Sequence, residues 1–132
     1  ANLGSVLLDQ GRVGEARISA KAAQLRARAL DDGRVEATAH IVLARVARGE
    51  GDASAASAAL DAAQRRLVSE AAPSVQAELW AARAEVLHDL GDPGAAWAVL
   101  ADAEALVGAG AVEARRAVVR ARHHLGSARS TS

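Results

Sequence analysis

The sequence contains no cysteine, methionine, phenylalanine or tyrosine. Without cysteine there is no disulfide framework, no thiolate nucleophile and no thiolate-bound zinc, and the redox compartment is unconstrained. Trp80 and Trp97 are the whole aromatic complement, which leaves little with which to line an apolar ligand pocket. Lysine is reduced to Lys21, and the 16 basic and 16 acidic residues cancel to a net charge of zero, so nothing pulls the chain toward nucleic acid or an anionic membrane. No apolar run approaches the roughly 18 residues of a membrane span, and no signal-peptide pattern opens the chain. A cytoplasmic protein is expected by default. With no methionine even at position 1, the chain reads as a piece of something larger, and its bias to Arg, Ala and Gly suits a GC-rich bacterial genome.

Alanine supplies 36 of the 132 residues. It is the best helix former and has almost no β preference, so an all-α fold with closely approaching helices is expected. An alanine core buries little area per residue, at roughly 25 cal/mol per Å2, and stability then has to come from many helices stacking cooperatively. The punctuation of those helices recurs: Gly11, Gly51 and Gly91 stand 40 residues apart, as do Ala16, Ala56 and Ala96. A period of that size is the mark of a stacked-repeat protein. The stretch from Leu87 to Ala96 explains the turn. Leu87 and Leu90 close an apolar stripe, Gly91 sits just past a helix end, Asp92 caps the next helix, and Pro93 opens it. Asp52 is the matching cap after Gly51, and Gly11-Arg12-Val13-Gly14 is a weaker version. Connections this short set successive helices antiparallel.

Seven helices are expected on these grounds. The first ends at Gly11 and carries Leu3, Leu7 and Leu8. The second covers 13–30 with Ile18, Ala22, Leu25 and Ala29 inward, and Asp31-Asp32-Gly33 turns it. The third covers 35–48 through Ala39, Leu43 and Val46, and the fourth 53–69 through Ala56, Leu60, Ala63 and Leu67. Pro73 breaks the chain and Ser74 caps the fifth, which runs to Leu90 with Leu79, Val86 and Leu87 inward. The sixth spans 93–107 with Ala96, Leu100, Ala103 and Val107 inward. After Gly108-Ala109-Gly110, the seventh covers 111–125, burying Ala114, Val118, Ala121 and Leu125 and turning Glu113, Arg115, Arg116, Arg120 and Arg122 outward, as a capping helix would. Residues 126–132 are expected to be a disordered tail. The organisation is thus one domain, 1–125, in units of about 1–30, 34–69 and 74–107 plus the cap.

These residues resemble a tetratricopeptide repeat, a 34-residue helix-turn-helix unit with Leu-Gly early in its first helix, a turn glycine, and alanines five and twelve positions later. Leu3-Gly4, Gly11, Ala16 and Ala23 match in the first unit, Leu43-Ala44, Gly51, Ala56 and Ala63 in the second, and Trp80, Ala84, Gly91, Ala96 and Ala103 in the third. Arg83 stands where leucine is expected. The resemblance covers residues 1–107 and implies a right-handed solenoid of three helix pairs, in which Gly4, Ala44 and Ala84 face Ala16, Ala56 and Ala96 at close approach. The period of 40 exceeds the family's, lengthening each second helix by about 9 Å, as in arrays within multidomain bacterial transcription regulators and signalling ATPases.

In the family, first-helix residues line a concave groove. The resemblance carries that role to Ser5, Leu8, Asp9, Ile41, Arg45, Arg48, Ala81, Glu85, His88 and Asp89, a surface of both charges suited to a protein or peptide segment. The Lys/Asn/Arg set that some members use to hold a partner's C-terminal carboxylate is not matched by Ala1, Ser5, Val42, Glu78 and Ala82, so that ligand is not expected. The alternatives are an architectural spacer or self-association domain, dimerising through Leu3 and Leu7 of the first helix, and below it a small-ligand sensor. No enzymatic activity, cofactor or metal is expected. His123 and His124, being adjacent, point in different directions on a helix, His40 and His88 stand alone, and Gly49-Glu50-Gly51 lacks the strand and lysine of a phosphate loop. The arginines of the last helix lack interleaved aromatics, so nucleic-acid contact is not expected either.

Overall fold

The computed structural model describes residues 3–68, 72–107 and 111–130. Those residues are all-α, with no strand among them. Seven helices follow one another: α1 (Leu3–Asp9), α2 (Val13–Ala29), α3 (Gly33–Gly49), α4 (Ala53–Leu67), α5 (Pro73–Asp89), α6 (Pro93–Leu106) and α7 (Val112–Ser130). Among the described residues, no helix is long and apolar enough to cross a membrane.

The same turn ends α1, α3 and α5. Gly11, Gly51 and Gly91 take φ values of 76°, 81° and 87°, the left-handed region in which a side chain is strained. Around Gly51 the chain closes a Schellman motif, with the Asp52 N–H donating to the Ala47 carbonyl at 2.9 Å and the Gly51 N–H to Arg48 at 3.0 Å. Gly11 and Gly91 repeat both bonds with Leu7 and Leu8, and with Leu87 and His88. The next residue then starts the following helix. The Asp52 carboxylate accepts from the Ala55 N–H at 2.9 Å and that of Asp92 from the Ala95 N–H at 3.2 Å. Arg12 makes no side-chain cap and instead grips Glu15 in the first turn of α2. A fourth copy joins α2 to α3, where Asp31 holds φ 51° without being glycine and Asp32 caps Val35.

The chain divides into two compact units, Ala1–Ala71 and Ala72–Ser132. In the first, α1 packs on α2, α2 on α3, and α3 on α4. Leu7, Ala16, Ala20 and Val42 form one core cluster there, and Ala56, Leu60 and Ala63 are fully buried on α4. In the second, α5 packs on both α6 and α7. Ala84, Ala96, Leu100, Ala103, Ala121 and Leu125 share one cluster, flanked by half-buried Trp80 and Trp97. Ala16, Ala56 and Ala96 are each 0% exposed, so any larger side chain at these positions would force helices apart.

Several expectations are corrected. On α2 the anticipated inward stripe faces out: Ile18 is 71% and Leu25 66% exposed, Ala22 and Ala29 are exposed, and Ala16, Ala20 and Ala27 are buried instead. On this helix the alanine face is the one that packs, and the larger apolar residues are left outside. Pro73 does not precede α5 but is its first residue, where its missing N–H costs nothing, and the capping position belongs to Ala72, not Ser74. Gly33 is the first residue of α3, not part of the turn. Leu90 lies just past α5 and is exposed, and Arg120 is half-buried. Residues 126–130 continue α7 where a tail is expected. Ser69 and the Gly108-Ala109-Gly110 connection lie outside the described residues.

Two neighbouring glycines test the turn. A Cβ at Gly51 meets nothing within 4 Å, so Gly51→Ala carries only the left-handed backbone penalty and should destabilise by about 1–2 kcal/mol. Gly49, at the helical end of α3, also has open space, and Gly49→Ala should stabilise by up to about 1 kcal/mol. Urea unfolding followed by circular dichroism gives both signs; equal shifts would remove the turn's special role.

Candidate functional site

The ten residues carried over from the family pattern divide between the units. Ser5, Leu8 and Asp9 lie on α1, and Ile41, Arg45 and Arg48 on α3. Ser5 is 6% and Ile41 6% exposed, which closes both to a partner. Arg45 reaches from α3 to α1, donating from Nη1 to Ser5 Oγ and from Nη2 to Asp9 Oδ1, each at 3.1 Å. Its side chain is 16% exposed, so this is a half-buried, charge-assisted staple between helices. Leu8 and Arg48 are half-buried and Asp9 is exposed. The central positive charge expected of the surface is therefore compensated at Arg45 from within the unit.

On the second unit, Ala81, Glu85, His88 and Asp89 lie on α5. Ala81 is 0% and Glu85 5% exposed, and neither presents a surface. His88 and Asp89 occupy the last turn and remain accessible. Asp89 Oδ1 stands 2.8 Å from His124 Nε2 of α7, and the His88 and His124 rings meet edge-on with centroids 5.2 Å apart. His124 does not belong to the anticipated surface. Its neighbour His123 turns elsewhere, with Nε2 3.4 Å from Ser127 Oγ, as the directions of adjacent helical residues require. Sequence reading missed the His88–Asp89–His124 group because its parts lie 35 residues apart on helices whose pairing a single sequence does not state.

A second charged group also escaped notice. Glu36 is buried at the start of α3, and three basic side chains surround it: Arg66 Nε at 3.3 Å, His40 Nε2 at 3.5 Å and Arg28 Nε at 3.6 Å. Arg66 also donates to Asp31 at 3.0 Å. The cluster ties α2, α3 and α4 together at one end of the unit. Burial lowers the His40 pKa below the usual histidine value, opposed by Glu36 and assisted by the charges of Arg28 and Arg65. A neutral His40 beside a carboxylate held by two arginines is a structural arrangement. The one sequence hint was the i, i+4 spacing of Glu36 and His40 on α3.

A cleft of about 600 Å3 opens between α1 and α2, lined by Leu3, Leu7, Ile18, Ala22 and Ala23 together with the polar Glu15, Ser19 and Arg26. It is the consequence of the outward stripe on α2. No protein-family model matches the chain, and neither a curated protein nor a solved structure is significantly similar to it.

The Glu36 cluster has two measurable consequences. Glu36→Ala leaves Arg28 and Arg66 facing each other without their shared anion. Full burial would make such a loss about 3–5 kcal/mol. Since the arginines are 56% and 34% exposed, about 2 kcal/mol is expected from denaturant midpoints. For His40, whose folded pKa is depressed, the unfolded chain takes up the proton first as pH falls below about 6.5, so its contribution is a loss of stability on acidification. His40→Gln should flatten the fall in unfolding midpoint between about pH 7.5 and 5.5; an unchanged slope would exclude His40 as its source.

Proposed function

We propose that this chain is a helical-repeat scaffold of the tetratricopeptide type, a right-handed solenoid of three helix pairs with α7 as its cap, acting as a protein- or peptide-binding module within a larger bacterial regulatory protein in the cytoplasm. The observation that carries the reading is the threefold recurrence, at intervals of 40 residues, of one turn geometry at Gly11, Gly51 and Gly91 followed by a fully buried alanine at Ala16, Ala56 and Ala96. A unit that repeats its turn and its close-packed position presents equivalent faces at regular spacing, which suits an extended partner. The exposure pattern narrows the contact residues to Leu8, Asp9 and Arg48 on the first unit and to His88 and Asp89 on the second. No catalytic role is assigned to the chain.

Titrating a 15N-labelled sample with a panel of short peptides of mixed charge tests this. A cognate class should shift backbone resonances around Leu8, Asp9 and Arg48, and Arg48→Glu should weaken it by about tenfold, or about 1.4 kcal/mol. If no peptide class binds, or shifts collect away from both helix ends, the binding reading falls.

One observation favours a second reading, self-association. Leu3 at 61%, Ile18 at 71% and Leu25 at 66% exposure put an apolar strip on the outer face of α1 and α2, more than a lone surface residue requires. A second copy covering that strip would make the chain an architectural, dimerising element. Sedimentation over a wide concentration range should then show a dimer that Ile18→Glu abolishes, whereas a monomer throughout would leave the strip without this role.

A further inference from the structure

Two imidazoles and one carboxylate converge where the last turn of α5 packs on α7. We propose that His88, Asp89 and His124 bind one late first-row divalent cation, zinc foremost, with solvent completing a four-coordinate shell. His88 and Asp89, being consecutive, leave α5 about 100° apart, and α5 alone would not direct both at one ion. His124 supplies the missing geometry from α7. It meets the Asp89 carboxylate at 2.8 Å and the His88 ring edge-on at 5.2 Å between centroids. One ligand atom from each residue lies within 4.8 Å of the other two. Ligand atoms about a tetrahedral zinc stand about 3.3 Å apart, so shifts of about 1 Å at half-exposed side chains close the set.

The chemistry of the donors selects the ion. Neutral imidazole nitrogens with one carboxylate oxygen suit zinc, copper(II) or nickel(II), and not calcium or magnesium, which demand oxygen shells. The chain has no cysteine to compete for the metal. Binding replaces the His124–Asp89 hydrogen bond: His124 Nε2 gives its lone pair to the metal, and any proton on that nitrogen is released.

The local fold supports the site in three ways. The Gly91 turn fixes the end of α5 through the Gly91 N–H donating to the His88 carbonyl at 3.0 Å. The carbonyl end of a helix dipole favours a cation beside its last turn. On α7, Ala121 and Leu125 flank His124 and are each 0% exposed, so the helix that carries this ligand is packed and not free to turn. An ion held this way would cross-link α7 to the α5–α6 hairpin and stabilise that unit by mass action. The site shares His88 and Asp89 with the contact residues proposed for the scaffold, but metal uptake is read separately from peptide binding and does not require it.

Calorimetric titration of the metal-free chain with zinc tests the assignment. One equivalent should bind, and His88→Ala, His124→Ala and Asp89→Asn should each weaken it by at least about tenfold, the lower range for groups that merely support a ligand. His123→Ala should leave it unchanged. A readout on the parent chain removes dependence on how the variants fold: in 15N-detected imidazole spectra, zinc should move the His88 and His124 signals and leave those of His40 and His123 in place. The proposal is overturned by the absence of one-equivalent uptake, by a loss that follows His123→Ala, or by shifts spread evenly over all four histidines.

Discussion

The constraint on which the rest depends is the left-handed residue that follows α1, α2, α3 and α5. With Gly11, Gly51 or Gly91 at positive φ, the last carbonyls of one helix are satisfied by the two N–H groups that follow, and the residue after the glycine is already placed to begin the next helix. Both helix ends meet their hydrogen-bond needs inside three residues. So short a joint leaves the second helix little choice of direction, and the residue five positions after the glycine comes to lie where the helices approach most closely. That is why Ala16, Ala56 and Ala96 have no exposed surface. Asp31 adopts the same conformation between α2 and α3 without the glycine, which aspartate tolerates better than most residues.

Close approach has a second consequence. Interfaces made of alanine have no room for long polar side chains in their middles, so charged groups gather at helix ends and reach across there. Arg45 to Asp9, Arg66 to Glu36 and Asp31, Arg17 to Glu50, and His124 to Asp89 each have at least one partner at a helix end. Most are partly wet and contribute little each, about 0–1 kcal/mol. Glu36 differs because its side chain is 7% exposed and would be costly to bury without its cationic neighbours.

What the sequence disclosed follows from the same geometry. Turns are local, and Gly51-Asp52 and Gly91-Asp92-Pro93 state them in two or three letters. Helices with a single apolar face were legible too: Ala56, Leu60, Ala63 and Leu67 on α4, and Ala114, Val118, Ala121 and Leu125 on α7, are the buried residues that spacing predicts. The reading of α2 failed because that helix has two apolar faces, one of alanine and one of Ile18 and Leu25, and residue size points to the wrong one when helices are closely spaced. Pairings such as Arg45 with Asp9 were out of reach for a different reason. They depend on which helices touch, and either partner alone looks like ordinary surface charge.

That difference bears on recognition. A surface whose charges already pair within the fold gains little from a partner's charges, since a carboxylate arriving at Arg45 must displace Asp9 and Ser5 and restore about the same interaction. Affinity at such a surface has to come from apolar contact and fit, and charge serves mainly to reject partners of the wrong sign. On the second unit the balance differs, because the Asp89–His124 pair joins a carboxylate to an imidazole, whose ring nitrogen can also serve as a metal ligand. The partners each charge already has within the fold thus set what an incoming group must displace, Ser5 and Asp9 at Arg45 and the Asp89 carboxylate at His124.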